Sequence, residues 1–237
     1  MPKSLRTFLE DCQREIPNEV VRIGKEVDPA HYDVTAIIKH LGGMKKFPIL
    51  IFEKPLNLHG EVSDLKLIMN CEISQRKTQI ALGLPKEMSR MEMAEACLEM
   101  EERRIPPVVI DQKSAPVKEV VKLGRDVDLF NLPVMRHHEM DGGPYIVMST
   151  VTRDRKTGIH NCSYHRMEIK SRNTTGCSAS PRHLWKIYRD YEDNNLECPV
   201  ATILGHHPAF NMGACYTGAF EVDEYEVVGG YLGEPLR

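Results

Sequence analysis

Leu5, Phe8, Leu9 and Cys12 recur at the spacing of one helical face, and Ser4 stands just ahead of them with a side-chain oxygen for the first turn. The chain is therefore expected to open on a capped amphipathic helix. Residues 19–23 (Glu-Val-Val-Arg-Ile) read as a strand. Asp33 is expected to cap a short helix over 34–41 that stops at Gly42-Gly43. Phe47-Pro-Ile-Leu-Ile-Phe52 is an apolar run of strand length, and 65–69 reads as another strand. Ser74 and Ser89 each read as helix N-caps. Ser89-Arg-Met-Glu92 has capping-box spacing, with a hydroxyl at the cap and a carboxylate three residues on, before a Met- and Glu-rich helix that ends near Arg104. Met91, Met93, Cys97, Leu98 and Met100 in that helix are expected to fill a core. This first part shows no chemistry of its own and reads as a scaffold.

Pro106-Pro107 and Pro116 punctuate a crossover, and the pattern changes beyond it. Residues 119–123 read as a strand. Asp141-Gly-Gly-Pro144 is a turn signal, and Tyr145-Ile-Val-Met-Ser-Thr-Val-Thr152 is rich in β-branched and aromatic residues. A polar tip closing on Gly158 leads into a second alternating run, which puts Asn161, Ser163 and His165 on one face and Cys162, Tyr164 and Arg166 on the other. Ser180 is expected to cap a helix with Pro181 at its first position, running through Leu184, Trp185, Ile187 and Tyr188. Residues 199–204 read as a buried strand. His207-Pro-Ala and residues 223–228 read as short helices, the second stopped by Gly229-Gly230. The boundaries implied are an α/β (α+β) scaffold domain over 1–117 and a β-rich domain over 118–237.

Composition narrows the function classes. A chain of 237 residues, 41% hydrophobic, can bury one large core or two modest ones. A net charge of −3 without a basic block leaves no nucleic-acid footprint. No apolar run has the length of a membrane span, and the first residues lack a signal-peptide core. Seven cysteines without Cys-x-x-Cys spacing read as reduced thiols in a cytoplasmic protein.

Candidate chemistry sits in the hairpin. A strand carrying Asn161, Ser163, Tyr164, His165 and Arg166 is either a solvated sheet face or the lining of a site. The adjacent pairs His137-His138 and His206-His207 draw attention as metal ligands, but neighbours on a strand point to opposite faces, so surface or turn histidine is the expectation. Asp128-Leu-Phe-Asn-Leu-Pro133, Asp141-Gly-Gly-Pro-Tyr145, Val151-Thr-Arg-Asp154 and Asn161-Cys-Ser-Tyr-His-Arg166 occur in that order. In these four segments the chain resembles the UbiD family of prenyl-FMN-dependent decarboxylases, over nearly its whole length and most densely beyond Val127.

The resemblance implies a good deal that spacing does not. The second domain would be a split β-barrel of flavin-reductase type, left incomplete here. Asn161, His183 and Glu224 match the family's divalent-metal ligands, for Mn²⁺ or Mg²⁺, although no local motif joins them. One amide oxygen, one imidazole and one carboxylate suit such a cation and leave positions for a flavin phosphate and waters. A K⁺ ion held by backbone carbonyls is also implied, with 213–216 as its candidate. Arg166 would be the catalytic residue, set against the flavin ring and the substrate carboxylate. Cys162, Ser163, Tyr164, His165 and Arg182 join the metal ligands as cofactor-binding residues. The implied reaction is reversible, non-oxidative decarboxylation of an aromatic or α,β-unsaturated carboxylic acid. A flavin prenyltransferase would supply prenylated FMN, and the protein would be a homo-oligomer or pair with a missing C-terminal part.

The chain departs from the family pattern. Family members are about double its length, and the two carboxylates that complete their catalytic network lie past the last residue here. A fragment, a truncated form or one partner of a split arrangement is expected, lacking the general acid. Two other classes stay open: a non-catalytic or accessory flavin-binding subunit, and a plain FMN oxidoreductase.

Overall fold

A computed structural model of the chain describes residues 2–237. Helix α1 (Leu5–Glu15) starts on a reciprocal cap. Ser4 Oγ accepts from the Thr7 N–H at 3.3 Å, and Thr7 Oγ1 accepts from the Ser4 N–H at 2.9 Å. Strand β1 (Val20–Val27) runs parallel to β2 (Ile49–Pro55), and β3 (Leu67–Met69) pairs antiparallel on the other side of β2. As the central strand, β2 has both faces covered, which is why it reads as a continuous apolar run rather than an alternating one. Ile49 and Ile51 pack on Phe8 and Cys12 of α1, while Leu50 and Phe52 pack on Val34 of α2 (Asp33–Gly43). Helices α3 (Gln75–Leu82) and α4 (Arg90–Glu102) follow, capped by Ser74 and by the Ser89–Glu92 box.

The second sheet has the order β6-β5-β4-β7 and is antiparallel throughout. Its strands are β4 (Tyr145–Arg153), β5 (His160–Ile169), β6 (Thr175–Cys177) and β7 (Val200–Ile203). Asp154 builds the β4–β5 tip, its Oδ1 accepting from the Lys156 and Thr157 N–H groups, and Gly158 turns the chain at φ 79°. Helix α5 (His183–Asp193) lies between β6 and β7, followed by α6 (Pro208–Gly213) and α7 (Glu224–Leu232). The architecture is thus mixed α and β with two small sheets. Four strands do not come round on themselves, and no closed barrel forms among the described residues.

Several sequence expectations are corrected. Tyr32, in the left-handed region at φ 71°, occupies the cap of α2; Asp33 is the first helical residue, and its carboxylate accepts from the Asp28 N–H at 2.8 Å. Helix α4 buries no residue: Met91 is 71% and Leu98 61% exposed, because its apolar side chains lie all round the helix, and Cys97 and Met100 are the ones that pack against the cluster holding Val227 and Val228. Residues 119–123 form no strand, having no ladder to join, and Val120 and Leu123 are exposed. Strand β7 is an edge with Val200 half exposed, not a buried strand. Helix α5 begins at His183 with Arg182 at its cap rather than at Ser180 and Pro181. Gly229 and Gly230 do not stop α7, which continues to Leu232 and ends at Gly233 with φ 70°.

Both histidine pairs are structural. The His137 and His138 N–H groups donate to the Asp141 carboxylate at 3.2 and 2.9 Å. His207 caps α6, its Nδ1 accepting from the Ala209 N–H at 3.1 Å, and the His206 ring stacks on Phe210 with centroids 4.1 Å apart. Burial pushes both rings down from 6.5 to about 4. They fold neutral, so their contribution is complete above pH 6.5 and is lost as pH falls toward 4. We expect acid to remove about 3 kcal/mol for each ring over that window, read as a falling melting temperature. His207→Asn, which keeps a capping oxygen without the titration, should flatten part of the slope.

No helix among the described residues is long and apolar enough to cross a membrane, and all seven cysteines are free.

Candidate functional site

Strand β5 sets the site by alternation. Cys162 points into the core and is fully buried with Val151, Val227 and Val228. Asn161, Ser163 and His165 point the other way, in a chain of hydrogen bonds: Ser163 Oγ to Asn161 Oδ1 at 3.1 Å and to His165 Nε2 at 2.9 Å. Burial lowers the pKa of His165.

The start of α7 is pinned to the start of β5. Asp223 caps α7 by accepting from the Tyr225 N–H at 2.9 Å, and its other oxygen takes the His160 N–H at 3.1 Å and His160 Nδ1 at 2.9 Å. The His160 and Tyr225 rings stack at 4.6 Å. This clamp places Glu224, the first residue of α7, behind the polar face of β5 with only 2% of its surface exposed. Asn161 Nδ2 donates to both of its carboxylate oxygens at 2.9 Å, and the Cys162 N–H donates to Oε2 at 2.5 Å. His183 Nδ1, at the first position of α5, lies 3.2 Å from Oε1. Burial pushes the Glu224 carboxyl above the ordinary carboxylate range, and the bonds from Cys162, His183 and Asn161 partly oppose it.

Asn161, His183 and Glu224 thus converge on one point although 63 residues separate the first from the last. They form part of the wall of a cavity of about 590 Å³. Ser163, Tyr164, His165, Arg166 and Arg182 line the same cavity. Cys162 is the exception, since only its backbone N–H reaches the site. The guanidinium of Arg166 lies over the Tyr145 ring, 5.6 Å from its centroid, and is paired with no carboxylate among the described residues. The N-terminus of α5 opens on the cavity at Arg182 and His183; the Arg182 N–H is taken by the Ser180 carbonyl at 2.7 Å, no side chain caps the helix, and its dipole favours an anion there.

The cavity also takes in residues that the sequence reading missed. Ser178, Ser180 and Thr217 line it. Ser180 reads in sequence as a helix cap, and the short strand β6, which ends at Cys177 just before Ser178, has no apolar pattern to announce it. Of the proposed carbonyl cluster at 213–216, Tyr216 reaches the cavity wall, while the Gly213 carbonyl accepts the Tyr216 N–H at 3.1 Å.

Comparison with known proteins covers nearly the whole chain. Residues 12–111 match the 3-octaprenyl-4-hydroxybenzoate carboxy-lyase N-terminal domain, and residues 108–237 match the Rift-related domain of the same carboxy-lyase. A phenolic acid decarboxylase of Sedimentibacter hydroxybenzoicus is 30% identical over 96% of this chain and 47% of its own length. A phenolic acid decarboxylase of Streptomyces sp. (strain D7) is 29% identical over 98% of this chain and 48% of its own. Among solved structures, vanillic acid decarboxylase of Sedimentibacter hydroxybenzoicus in its closed form superposes with a TM-score of 0.87 at 28% identity, over 100% of this chain and 50% of that one. The enzyme HmfF of Pelotomaculum thermopropionicum, in complex with FMN, superposes with a TM-score of 0.86 at 28% identity over 98% and 49%. An evolved dimeric form of HmfF is in complex with prFMN. The chain spans about half the length of the curated relatives it matches.

Proposed function

This chain belongs to the UbiD family of carboxy-lyases, and from that premise we propose that it forms the cofactor-holding part of a prenylated-FMN-dependent decarboxylase. The substrate is an aromatic or α,β-unsaturated carboxylic acid, and the reaction exchanges CO₂ for a proton. One observation carries the reading: Glu224 gathers an amide, an imidazole and a backbone N–H at the wall of a cavity that also presents Arg166 and the open end of α5.

The donor set fits a divalent cation. A buried carboxylate with Asn161 and His183 beside it supplies one negative charge and two neutral donors, which suits Mn²⁺ or Mg²⁺. A cation held there would take over the hydrogen bonds that Asn161 and His183 now make to Glu224. Arg182 and the end of α5 would hold a phosphate, with K⁺ at the carbonyls of 213–216 as a further element. When bound, prenylated FMN supplies the electron sink that no side chain provides. Arg166 holds the substrate carboxylate with two parallel N–H bonds and fixes its approach. Tyr164 forms a wall of the cavity beside Ser163 and His165 and limits the entry of water. The open sheet is read as one part of a split barrel, with the general acid supplied from outside these residues. Free thiols fit a cytoplasmic setting, with a flavin prenyltransferase as cofactor source and self-association or pairing with a second part as the assembly.

Co-expression with a flavin prenyltransferase, followed by absorbance and mass analysis, tests the reading. Copurified prenylated FMN with a divalent cation is the expected result. Plain FMN reduced by NAD(P)H would replace the reading with an oxidoreductase, and absence of flavin with tight binding to another polypeptide would replace it with an accessory subunit. Glu224→Gln should lower Mn²⁺ affinity by roughly 100-fold, since it removes the only charged donor and turns an amide N–H₂ toward the N–H of Cys162. Unchanged metal content in the purified variant would remove Glu224 from the site.

A further inference from the structure

Ser163 stands between Asn161 and His165, its Oγ 3.1 Å from Asn161 Oδ1 and 2.9 Å from His165 Nε2. A hydroxyl has one hydrogen and an amide oxygen only accepts, so that hydrogen goes to Asn161. The bond to His165 is then donated by the ring, which puts the ring hydrogen on Nε2. Burial lowers the pKa of His165, so the ring is neutral and Nδ1 is a bare acceptor. Nδ1 has no hydrogen-bond partner among the described residues, and His165 is a half-buried part of the cavity wall.

The other end of this chain of bonds is set by Glu224. Asn161 Nδ2 lies 2.9 Å from each Glu224 oxygen, which keeps Oδ1 on the Ser163 side, away from Glu224 and His183. In that orientation Asn161 turns an N–H₂ group toward its fellow ligands, and an N–H₂ group cannot coordinate a cation. Presenting the oxygen there requires the amide to turn over. Oxygen and nitrogen are nearly the same size, so a side chain only 4% exposed needs no new room for the exchange. The consequence passes along the strand. Ser163 then accepts from the Asn161 N–H₂ and gives its own hydrogen to His165 Nε2, which accepts only once the ring hydrogen sits on Nδ1. The proton count is unchanged, since the ring loses one proton to water at Nε2 and takes one from water at Nδ1.

We propose that Ser163 is a positioning residue that couples the orientation of the Asn161 amide to the tautomer of His165. A divalent cation held by Asn161, His183 and Glu224 thereby turns a bare ring nitrogen at the cavity wall into an N–H donor. The inference rests on the decarboxylase reading only through that cation. An N–H donor in a cavity also lined by Arg166 and Arg182 favours an anion, so filling the cation site prepares the cavity for an anionic ligand.

Nitrogen-15 NMR of the histidine rings in the purified chain, titrated with Mg²⁺ alone at about pH 8, reads both nitrogens of His165 in its neutral form. His165→Gln identifies the signals by their loss. Without Mg²⁺, Nε2 should give the shift of a protonated nitrogen and Nδ1 that of a bare one, and saturating Mg²⁺ should exchange the two. Calorimetry on the same samples gives the Mg²⁺ affinity. Ser163→Ala should weaken Mg²⁺ binding roughly 10-fold and leave the His165 ring unresponsive, whereas Ser163→Thr, which keeps the hydroxyl, should restore both. Bound Mg²⁺ with the His165 tautomer unchanged overturns the inference and leaves the cation site standing; no Mg²⁺ binding overturns both. The titration of the unaltered protein decides even where Ser163→Ala fails to fold. Tautomer exchange in a protein that copurifies no flavin retains the coupling and removes the decarboxylase reading.

Discussion

Arg166→Ala is expected to cut turnover of the cofactor-loaded protein, assembled with the part that supplies the general acid, about 10³-fold while flavin content, metal content and melting temperature stay close to those of the unaltered protein. A factor of that size corresponds to about 4 kcal/mol of transition-state stabilisation, within reach of a bidentate charged contact. The fold asks little of this side chain: it is exposed, forms no ion pair among the described residues and lies over the Tyr145 ring. Exposed substitutions of that kind usually change stability by less than about 0.5 kcal/mol. Arg166→Lys should recover only a small part of the rate, because a single ammonium cannot form two parallel bonds to a carboxylate. Release of CO₂ from a carboxylic acid substrate is the measurement, and turnover at the unaltered rate in Arg166→Ala would remove the residue from the chemistry.

Gly230→Ala is expected to destabilise the fold by at least about 3 kcal/mol, with the opposite sign to the intrinsic preference of a helix for alanine. In an unconstrained helix the exchange would gain about 1 kcal/mol. Here an added Cβ would lie 2.1 Å from the Met100 carbonyl oxygen and 2.9 Å from that of Arg103. Both are backbone atoms at the end of α4, so no side chain can rotate away, and the two helices must move apart. That motion would disturb the core in which Cys97 and Met100 pack against the cluster holding Val227, Val228 and Tyr231. It would also shift the first turn of α7, which carries Glu224. Thermal or urea unfolding measures the loss, and Gly229→Ala, whose Cβ would meet the Ile105 carbonyl oxygen at 2.3 Å, should behave alike. A rise in stability at either position would show that the close approach of α4 to α7 is relaxed in solution.

The two glycines show where local reading of a sequence loses its grip. In isolation Gly229-Gly230 is a stop signal. The helix nevertheless runs through both to Gly233, because the adjacent carbonyls of 100–105 demand residues without Cβ. The Met-rich helix α4 failed in the opposite direction. Its caps were legible at Ser89 and Glu92, but its apolar residues follow no single face, so which of them would be buried depended on where α7 lay. Caps and hairpins depend on atoms a few residues apart and were mostly readable; residues 119–123 and the buried character assigned to 199–204 depended on distant strands and were not.

The sequence by itself determined the helix starts at Ser4, Ser74 and Ser89, the central apolar strand, the polar hairpin from Tyr145 to Ile169 and the alternation that separates Cys162 from its neighbours. Its ordered motifs pointed to the family. Only the tertiary structure brought Asn161, His183 and Glu224 within hydrogen-bond reach, by clamping Asp223 to His160. The physical reason is range. Periodicity and capping record forces acting over one or two turns of chain, whereas a site assembled across 63 residues is fixed by the packing of whole elements on one another.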